Sequence, residues 1–155
     1  MPDLDRIDRR ILQELQRNAR ISNAELARRI DLSATPCQNR VRRLEREGYI
    51  LRYEAVLDPH RLGAGLLVFV EIGLARTARD VFREFRRAVV DLPEVLDCHL
   101  VSGNFDYLIK ARVRDMAAYR ELLGEKILSL PGVSDSRSYV VMEELKETLA
   151  IPLGD

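Results

Sequence analysis

The sequence contains no tryptophan, only two cysteines and no long uninterrupted run of apolar residues. Cys37 and Cys98 lie far apart in unrelated patterns, which is typical neither of a disulfide framework nor of a zinc cluster. The longest uncharged apolar run, Leu62 to Val70, contains two glycines and is too short to span a bilayer. No secretory apolar segment occurs near the start. We therefore expect a protein of the reducing cytoplasm, without a membrane partner.

Candidates for catalysis are also scarce. The only two histidines, His60 and His99, have neither metal-ligand nor catalytic-triad spacing. His60 follows a predicted turn, and His99 alternates with Cys98 along a predicted strand, so these last two side chains point to opposite faces. No glycine-rich phosphate loop is present. The sequence therefore predicts that the protein is not an enzyme and uses no catalytic residue, metal or cofactor.

The composition is that of a globular protein, with 46% hydrophobic and 32% charged residues. Its 155 residues are enough for one domain or two small ones, each near the size at which a hydrophobic core becomes marginal. The net charge of the chain is zero, but the charge is unevenly distributed. Residues 1–52 hold 12 Arg and 8 Asp+Glu and are net positive, and the remainder carries the opposite net charge. A basic first part and an acidic second part indicate two units with different partners.

Two amphipathic helices are predicted at the start of the chain. Apolar residues at helical spacing predict the first within residues 4–18, with Asp5 as its N-cap. Ser22 and Glu25 then form a capping-box pattern, which begins a second helix that ends near Ile30.

A third helix follows after a turn of two residues. Ser33 is its N-cap candidate, and Gly48 ends it as the C′ residue. Asp31 occupies the turn, where aspartate tolerates the left-handed conformation better than most residues. Two helices joined by so short a turn and preceded by another helix predict a helix-turn-helix domain over residues 1–52.

The third helix has an apolar side and a basic side. At 100° per residue, Cys37, Val41 and Leu44 cluster on the side that faces the core. The residues opposite them have the side chains that read bases or bind phosphate in DNA: Thr35, Gln38, Asn39, Arg42, Arg43 and Arg46. Ser33 and the free amides of the first turn are suited to hold a phosphate.

Most charged helix faces are merely solvated, and Glu45 and Glu47 dilute the positive charge of this one. Its place as the third helix of a correctly spaced helix-turn-helix favours contact with double-stranded DNA. Arg40 lies at the side of the helix, where it either braces the unit or binds phosphate.

A second domain follows a predicted linker strand and hinge at residues 53–63. Residues 64–155 repeat a strand–helix–strand order, with two Leu-Pro-x-Val turns 38 residues apart. This order predicts a ferredoxin-like βαββαβ domain, in which both helices cover one face of an antiparallel four-stranded sheet. Leu67 and Phe69 would lie on the other face, so we expect a partner sheet to cover it.

The chain resembles a known family over nearly its whole length. The runs LDRIDRRILQELQRNARISNAELARRI and LSATPCQNRVRRLEREGYI resemble the DNA-binding domain of the Lrp/AsnC, or feast/famine, regulators. The runs LLVFVEIGL, CHLVSGNFDYLIKARV, MAAYRELLGEKIL, LPGV and SRSYVVMEE resemble that family's effector-binding domain. The resemblance implies an α+β chain with a tri-helical or winged helix-turn-helix domain and a ferredoxin-like domain. It also implies a homodimer, often assembled into octamers, and an amino acid effector.

The family pattern places effector binding at the loop between the second and third strands, between subunits. The residues alone favour a plain hairpin, in which Gly103 supplies a positive φ and Asp106 caps the loop, and the family pattern reverses that preference. For an amino acid ligand, Asp106 would balance the ammonium and the amides of Gly103 and Asn104 would hold the carboxylate. The predicted effector residues are Gly103, Asn104, Asp106 and Tyr107. Five residues that are individually more typical of a core are expected to border the loop or its dimer partner: Leu100, Met116, Tyr139, Val140 and Val141.

Two departures from the family pattern limit what the resemblance implies. Asn39 stands where the family often has a charged residue, so no operator sequence is carried over. Asn104 stands where close relatives often have aspartate, so the effector preference stays open.

The leading hypothesis is a sequence-specific transcription regulator that responds to an amino acid, with leucine or another branched-chain amino acid favoured. One alternative is an architectural protein that wraps DNA with little ligand control. Another is an amino-acid-binding regulatory module that does not bind DNA, which the basic first part of the chain disfavours.

Overall fold

The computed structural model describes residues 4–75 and 80–154, which form two compact units. The first unit is Met1–Val56 together with Lys146–Asp155, and the second is Leu57–Leu145. The sequence-based division places the last ten residues in the second domain, whereas the structure groups them with the first.

Three helices form the first unit: α1 (Arg6–Arg17), α2 (Asn23–Arg29) and α3 (Ala34–Arg46). They begin after the three predicted N-caps, Asp5, Ser22 and Ser33. Residues 4–56 contain no strand, so this part of the unit is a tri-helical bundle. The linker strand predicted within residues 53–63 is absent, because residues 53–58 have no regular structure and residues 59–63 form turns.

The N-terminal caps differ in how completely they form. The Asp8 amide donates to Asp5 Oδ1 at 2.8 Å and the Asp5 amide donates to Asp8 Oδ2 at 3.3 Å, which is a full capping box. Ser22 accepts from the Glu25 amide at 3.2 Å, but the Glu25 carboxylate pairs with arginines of its own helix instead of reaching back. Ser33 makes no side-chain cap bond, so its hydroxyl is not used within the helix.

The turn before α3 and the end of α3 have the predicted conformations. Asp31 adopts φ 60° and Gly48 adopts φ 78°. The Tyr49 amide donates to the Leu44 carbonyl oxygen at 2.9 Å, and the Gly48 amide donates to that of Glu45 at 3.1 Å. This pair of bonds is a Schellman motif, which needs a left-handed residue at Gly48.

The core of the first unit contains the predicted apolar side of α3. Cys37 and Leu44 are fully buried, and Val41 is partly buried beside them. They pack in one cluster with buried residues from α1 and the end of α2: Ile11, Leu12, Leu26, Ala27 and Ile30.

The second unit has the predicted βαββαβ order: β1 (Leu66–Leu74), α4 (Val81–Val89), β2 (Val95–Leu100), β3 (Tyr107–Val113), α5 (Met116–Glu121) and β4 (Val133–Val140). The four strands are antiparallel in the order β2-β3-β1-β4, as in a ferredoxin-like sheet. The helix α5 continues into a π-helical turn, Leu122–Ile127. The predicted α+β fold is confirmed.

The sheet buries one face against α4 and α5. Val68, Val70 and Ile72 of β1 are fully buried there. Leu67, which faces the other way, is only 5% exposed, so the structure covers part of the opposite face within the chain itself. Among the described residues, no helix is both long and apolar enough to cross a membrane.

Candidate DNA interface and effector loop

The outer face of α3 carries the side chains with DNA-reading chemistry. Arg42 and Arg46 are exposed and form no ion pair with any described residue. The other predicted contacts on this face are also exposed: Ser33, Thr35, Gln38 and Asn39. Two cations, one carboxamide pair and two hydroxyls therefore lie together on a solvent-accessible helix face.

Arg40 and Arg43, also predicted to contact DNA, turn toward α1 instead. Arg40 Nη1 lies 2.9 Å from Asp8 Oδ1 and 2.6 Å from Asp5 Oδ2. Arg43 Nη2 donates to the other carboxylate oxygen of Asp8 in a short contact. Each oxygen of Asp8 thus holds one arginine of α3, and of the two roles open to Arg40 this geometry favours bracing.

Asp8 is fully buried, which makes this contact a structural one. A buried carboxylate is costly unless charged donors compensate it, and here two guanidinium groups do so. The hydrogen bond to Asp8 raises the pKa of Arg43, and the bonds to Asp5 and Asp8 raise that of Arg40, so both stay charged. Sequence reasoning missed Asp8, although the Asp5-x-x-Asp8 spacing of a capping box marks it.

Two further side chains fix the turn between α2 and α3. Asn23 Nδ2 donates to the Ala34 carbonyl oxygen at 2.9 Å, which ties the start of α2 to the start of α3. Arg10 Nη2 donates to the Arg29 carbonyl oxygen at 2.6 Å and pairs with Asp31 at 3.2 Å. The Arg10 cation therefore satisfies the exposed carbonyl end of α2.

In the second unit, Asp106 organises the loop between β2 and β3. Its carbonyl oxygen accepts from the Val101 amide at 3.0 Å, and its amide donates to the Ile72 carbonyl oxygen at 2.9 Å. Its Oδ2 accepts from the Leu74 amide at 2.8 Å. The Asp106 side chain thus ties the loop to the end of β1, and a ligand ammonium would have to share this carboxylate.

Gly103 and Asn104 form the exposed tip of the loop. The expectation that Gly103 has a positive φ is wrong. A longer loop built on negative-φ turn residues reverses the chain without a left-handed residue at this position. The backbone amides of both residues make no hydrogen bond to any described residue, and a Cβ at Gly103 would meet no atom within 4 Å. The amides are accessible to a carboxylate.

Tyr107 belongs to the core below the loop. It is 3% exposed, and its ring centroid lies 4.5 Å from that of Phe85 and 6.1 Å from that of Phe82. Its hydroxyl accepts a hydrogen bond from Arg86 Nε at 3.0 Å. Tyr107 therefore supports the loop without presenting an open face to a ligand.

The strand register places the second group of predicted effector residues at two different ends of the sheet. Leu100, 55% exposed, lies at the loop end of the sheet, near Ile72 of β1. Val140 pairs with Val68, four residues or about 13 Å away along β1. Met116 follows the far end of β3 and is half exposed. Within one protomer, Met116 and Val140 therefore lie at the opposite end of the sheet from the loop.

Tyr139 and Val141 also lie away from the loop. Tyr139 pairs with Phe69, on the sheet face opposite the helices, and its hydroxyl donates to Glu71 Oε1 at 2.9 Å. The Val141 amide donates to the Leu67 carbonyl oxygen at 3.0 Å.

The polar part of β4, which the sequence reasoning passed over, lies at the loop end instead. Ser134 Oγ donates to the Gly73 carbonyl oxygen at 3.1 Å, and Asp135 and Ser136 pair with the last residues of β1. Only the pairing of distant strands brings these residues near Asp106, so no local signal in the sequence identifies them.

The remaining candidates for chemistry are structural. The described residues contain no group of three or more His, Cys, Asp or Glu side chains that could hold a metal ion. Burial raises the pKa of the Cys37 and Cys98 thiols, which disfavours the reactive thiolate.

Comparison with known proteins identifies the same two regions. Residues 67–151 match the family model described as Lrp/AsnC ligand binding domain, and residues 4–50 match that of a winged helix-turn-helix DNA-binding domain. The leucine-responsive regulatory protein of Escherichia coli (strain K12) is 64% identical over 146 residues, which cover 94% of this chain and 89% of that protein. The leucine-responsive regulatory protein of Salmonella typhimurium is similar to the same extent.

Solved structures share the fold over almost the entire chain. A transcriptional regulator from Neisseria meningitidis, crystallised as an L-Met complex, superposes with a TM-score of 0.93 at 39% identity and covers 97% of each chain. AsnC of E. coli superposes with a TM-score of 0.88 at 26% identity, covering 97% of this chain and 99% of its own.

Proposed function

Because this chain belongs to the Lrp/AsnC family of transcription regulators, we propose that it is a sequence-specific regulator whose DNA binding responds to leucine or another branched-chain amino acid. It is a DNA-binding regulator with an amino-acid-binding domain, and not an enzyme. A regulator of this kind works where the chromosome is, so we place it in the cytoplasm.

The exposed face of α3 is the observation that carries the DNA-binding part of the proposal. Arg42 and Arg46 are not engaged by described carboxylates, so they can pair with guanine or phosphate. Gln38 and Asn39 offer the carboxamides that pair with adenine. We propose that α3 enters the major groove in an orientation fixed by Asp8, and that Arg40 and Arg43 act mainly as braces.

The loop between β2 and β3 supports the effector part of the proposal. The amides of Gly103 and Asn104 offer donors for a ligand carboxylate, and the exposed Leu100 offers apolar surface beside them. Two relatives carry the name leucine-responsive, and a structural neighbour holds L-Met. Leucine and methionine have uncharged side chains of similar volume, so a pocket that accepts one is expected to accept the other.

We further propose that the chain forms a homodimer that assembles into a higher oligomer such as an octamer, as the family resemblance implies. Met116 and Val140 are exposed at the end of the sheet opposite the loop, so they can border an effector only at the loop of another copy. We therefore propose that the complete effector site lies between protomers.

Thermal unfolding with added amino acids tests the effector proposal. A ligand that binds only the folded chain raises the unfolding temperature with its concentration. Leucine, isoleucine, valine and methionine are compared with aspartate and lysine as controls for ionic effects. We expect a saturable rise for leucine or another apolar amino acid and none for the charged pair. Absence of a shift with every amino acid would favour the architectural alternative.

A further inference from the structure

One face of α1 carries three polar residues at i, i+4 and i+7: Arg9, Gln13 and Gln16. Residues at this spacing lie on one helix face. None of them forms a hydrogen bond or ion pair with a described residue of α3, whereas Asp5 and Asp8 both do. All three donate to the backbone of a segment near the end of the chain that has no regular secondary structure.

Gln16 hydrogen-bonds to both main-chain groups of one residue of this segment, as a neighbouring β-strand does. Its Oε1 accepts from the Ile151 amide at 2.6 Å, and its Nε2 donates to the Ile151 carbonyl oxygen at 3.1 Å. Gln13 Nε2 donates to the Leu153 carbonyl oxygen at 3.2 Å, and Arg9 Nη1 donates to that of Gly154 at 3.4 Å. These four bonds involve only main-chain groups of the segment.

The spacing of the two partners matches. Seven residues of helix from Gln16 back to Arg9 rise about 10 Å, and three extended residues from Ile151 to Gly154 also span about 10 Å. The order of the bonded pairs shows that the segment runs antiparallel to α1, because later residues of the segment meet earlier residues of the helix. The helix offers its donors at intervals that an extended backbone can meet.

One apolar side chain anchors the segment. Leu153 packs against the hydrophobic core of the first unit, whereas the Ile151 side chain is 68% exposed. Pro152, which lies between them, has no N–H group and so leaves no donor without a partner. Backbone pairing together with a single side-chain anchor is how extended peptides are recognised.

We propose that this face of α1 is a receptor site for the chain's own C-terminal segment, residues 150–154, and that the docked segment is a structural part of the DNA-binding unit. The segment stabilises the helix that carries Asp8, and through Asp8 it stabilises the position of α3. Residues 150–154 thereby stabilise the DNA-binding unit.

Hydrogen exchange on the full-length chain tests this site. In the variant Gln13→Ala/Gln16→Ala, we expect exchange at the Ile151 amide and at the amides of α1 to accelerate about tenfold, because side-chain hydrogen bonds that oppose opening are lost. Arg17→Ala is the matched control, since Arg17 lies on the same helix and, among the described residues, forms an ion pair with Glu14 alone. Gln16→Glu provides a nearly isosteric second variant, which places a carboxylate against the Ile151 carbonyl oxygen. Equal exchange in the unmodified chain and both glutamine variants would overturn the proposal.

A crosslinking experiment identifies which copy supplies the segment. A photoreactive residue replaces Pro152 in a mixture of isotopically light and heavy chains. We expect crosslinks to α1 that join only light to light or heavy to heavy. Light–heavy crosslinks would overturn the assignment to the same chain, and capture of a region other than α1 would overturn the docking site. Both readouts are independent of DNA and effector binding.

Discussion

At the residue scale, the arginines of α3 divide by what they contact. Arg40 and Arg43 are held by the buried carboxylate of Asp8, and Arg42 and Arg46 are exposed without an ion pair to a described residue. A count of basic residues would treat the four as one DNA-binding patch. In the structure two of the four guanidinium groups pair with Asp8, which supports the proposal that base recognition depends on the other two.

Asp8→Asn is expected to lower the free energy of unfolding of the first unit by about 2–3 kcal/mol. The substitution leaves two arginines facing a neutral group, and the cost lies below that of a fully buried pair because both arginines are about one-third exposed. Asp5→Asn is the control, since asparagine also caps a helix and only an exposed ion pair is lost. Equal stability of Asp8→Asn and the unmodified chain in urea unfolding would refute the bracing role.

Arg42→Ala and Arg43→Ala are expected to separate recognition from stability. Arg42→Ala should weaken DNA binding by about 1–3 kcal/mol and change the free energy of unfolding by less than about 0.5 kcal/mol. Arg43→Ala should lower the free energy of unfolding by about 1–3 kcal/mol, because the buried carboxylate of Asp8 loses one of its two arginine partners. Fluorescence anisotropy with DNA and urea unfolding measure the two effects, and the reverse pattern would contradict the division of roles.

Asp5 provides a test by pH. The hydrogen bond from the Asp8 amide, followed by contact with Arg40, lowers the pKa of Asp5 below its ordinary 3.8. Since the folded chain favours the carboxylate, this stabilisation is complete above pH 3.8 and is lost as the pH falls through the lower folded value. In Arg40→Ala, carboxyl-carbon NMR should show a pKa closer to 3.8. A pKa at or above 3.8 in the unmodified chain would contradict the capping geometry.

At the element scale, local chemistry predicted the elements and their ends well. Asp5, Ser22 and Ser33 precede the three N-terminal helices, and Gly48 follows the third, because caps and left-handed turns depend on a few adjacent residues. Strand pairing depends on distant residues instead. Tyr139–Val141 were expected to border the effector loop or its dimer partner, and within one protomer the register places the polar residues 134–136 at the loop instead.

Alanine substitutions at two glycines of the second unit, compared with each other, test how that unit packs. Gly63 and Gly132 have φ 70° and 76°, so alanine at either position should cost about 1–2 kcal/mol in backbone strain. A Cβ at Gly132 would lie 1.8 Å from Val81 Cγ2, whereas a Cβ at Gly63 would meet nothing within 4 Å. Gly132→Ala should therefore cost about 1–3 kcal/mol more than Gly63→Ala. Similar denaturation midpoints for the two variants would contradict the contact between Gly132 and α4.

At the scale of the whole molecule, the division of charge in the sequence matches two units with different ligands. The basic first part forms the helix-turn-helix unit, and the acidic second part forms the ferredoxin-like unit. Periodicity and the internal repeat were sufficient to predict this architecture. They could not predict the place of residues 146–154 in the first unit, because that contact joins the two ends of the chain and depends on side chains facing a backbone.

Selection of bound DNA from a random pool, carried out in parallel with the unmodified chain and with Arg42→Ala, tests most directly whether the exposed face of α3 reads bases. We predict that the unmodified chain enriches a symmetric motif and that Arg42→Ala loses the preference at one position of each half-site while retaining the others. Recovery of the same motif with unchanged preferences from both proteins would contradict the assignment of that face to base recognition.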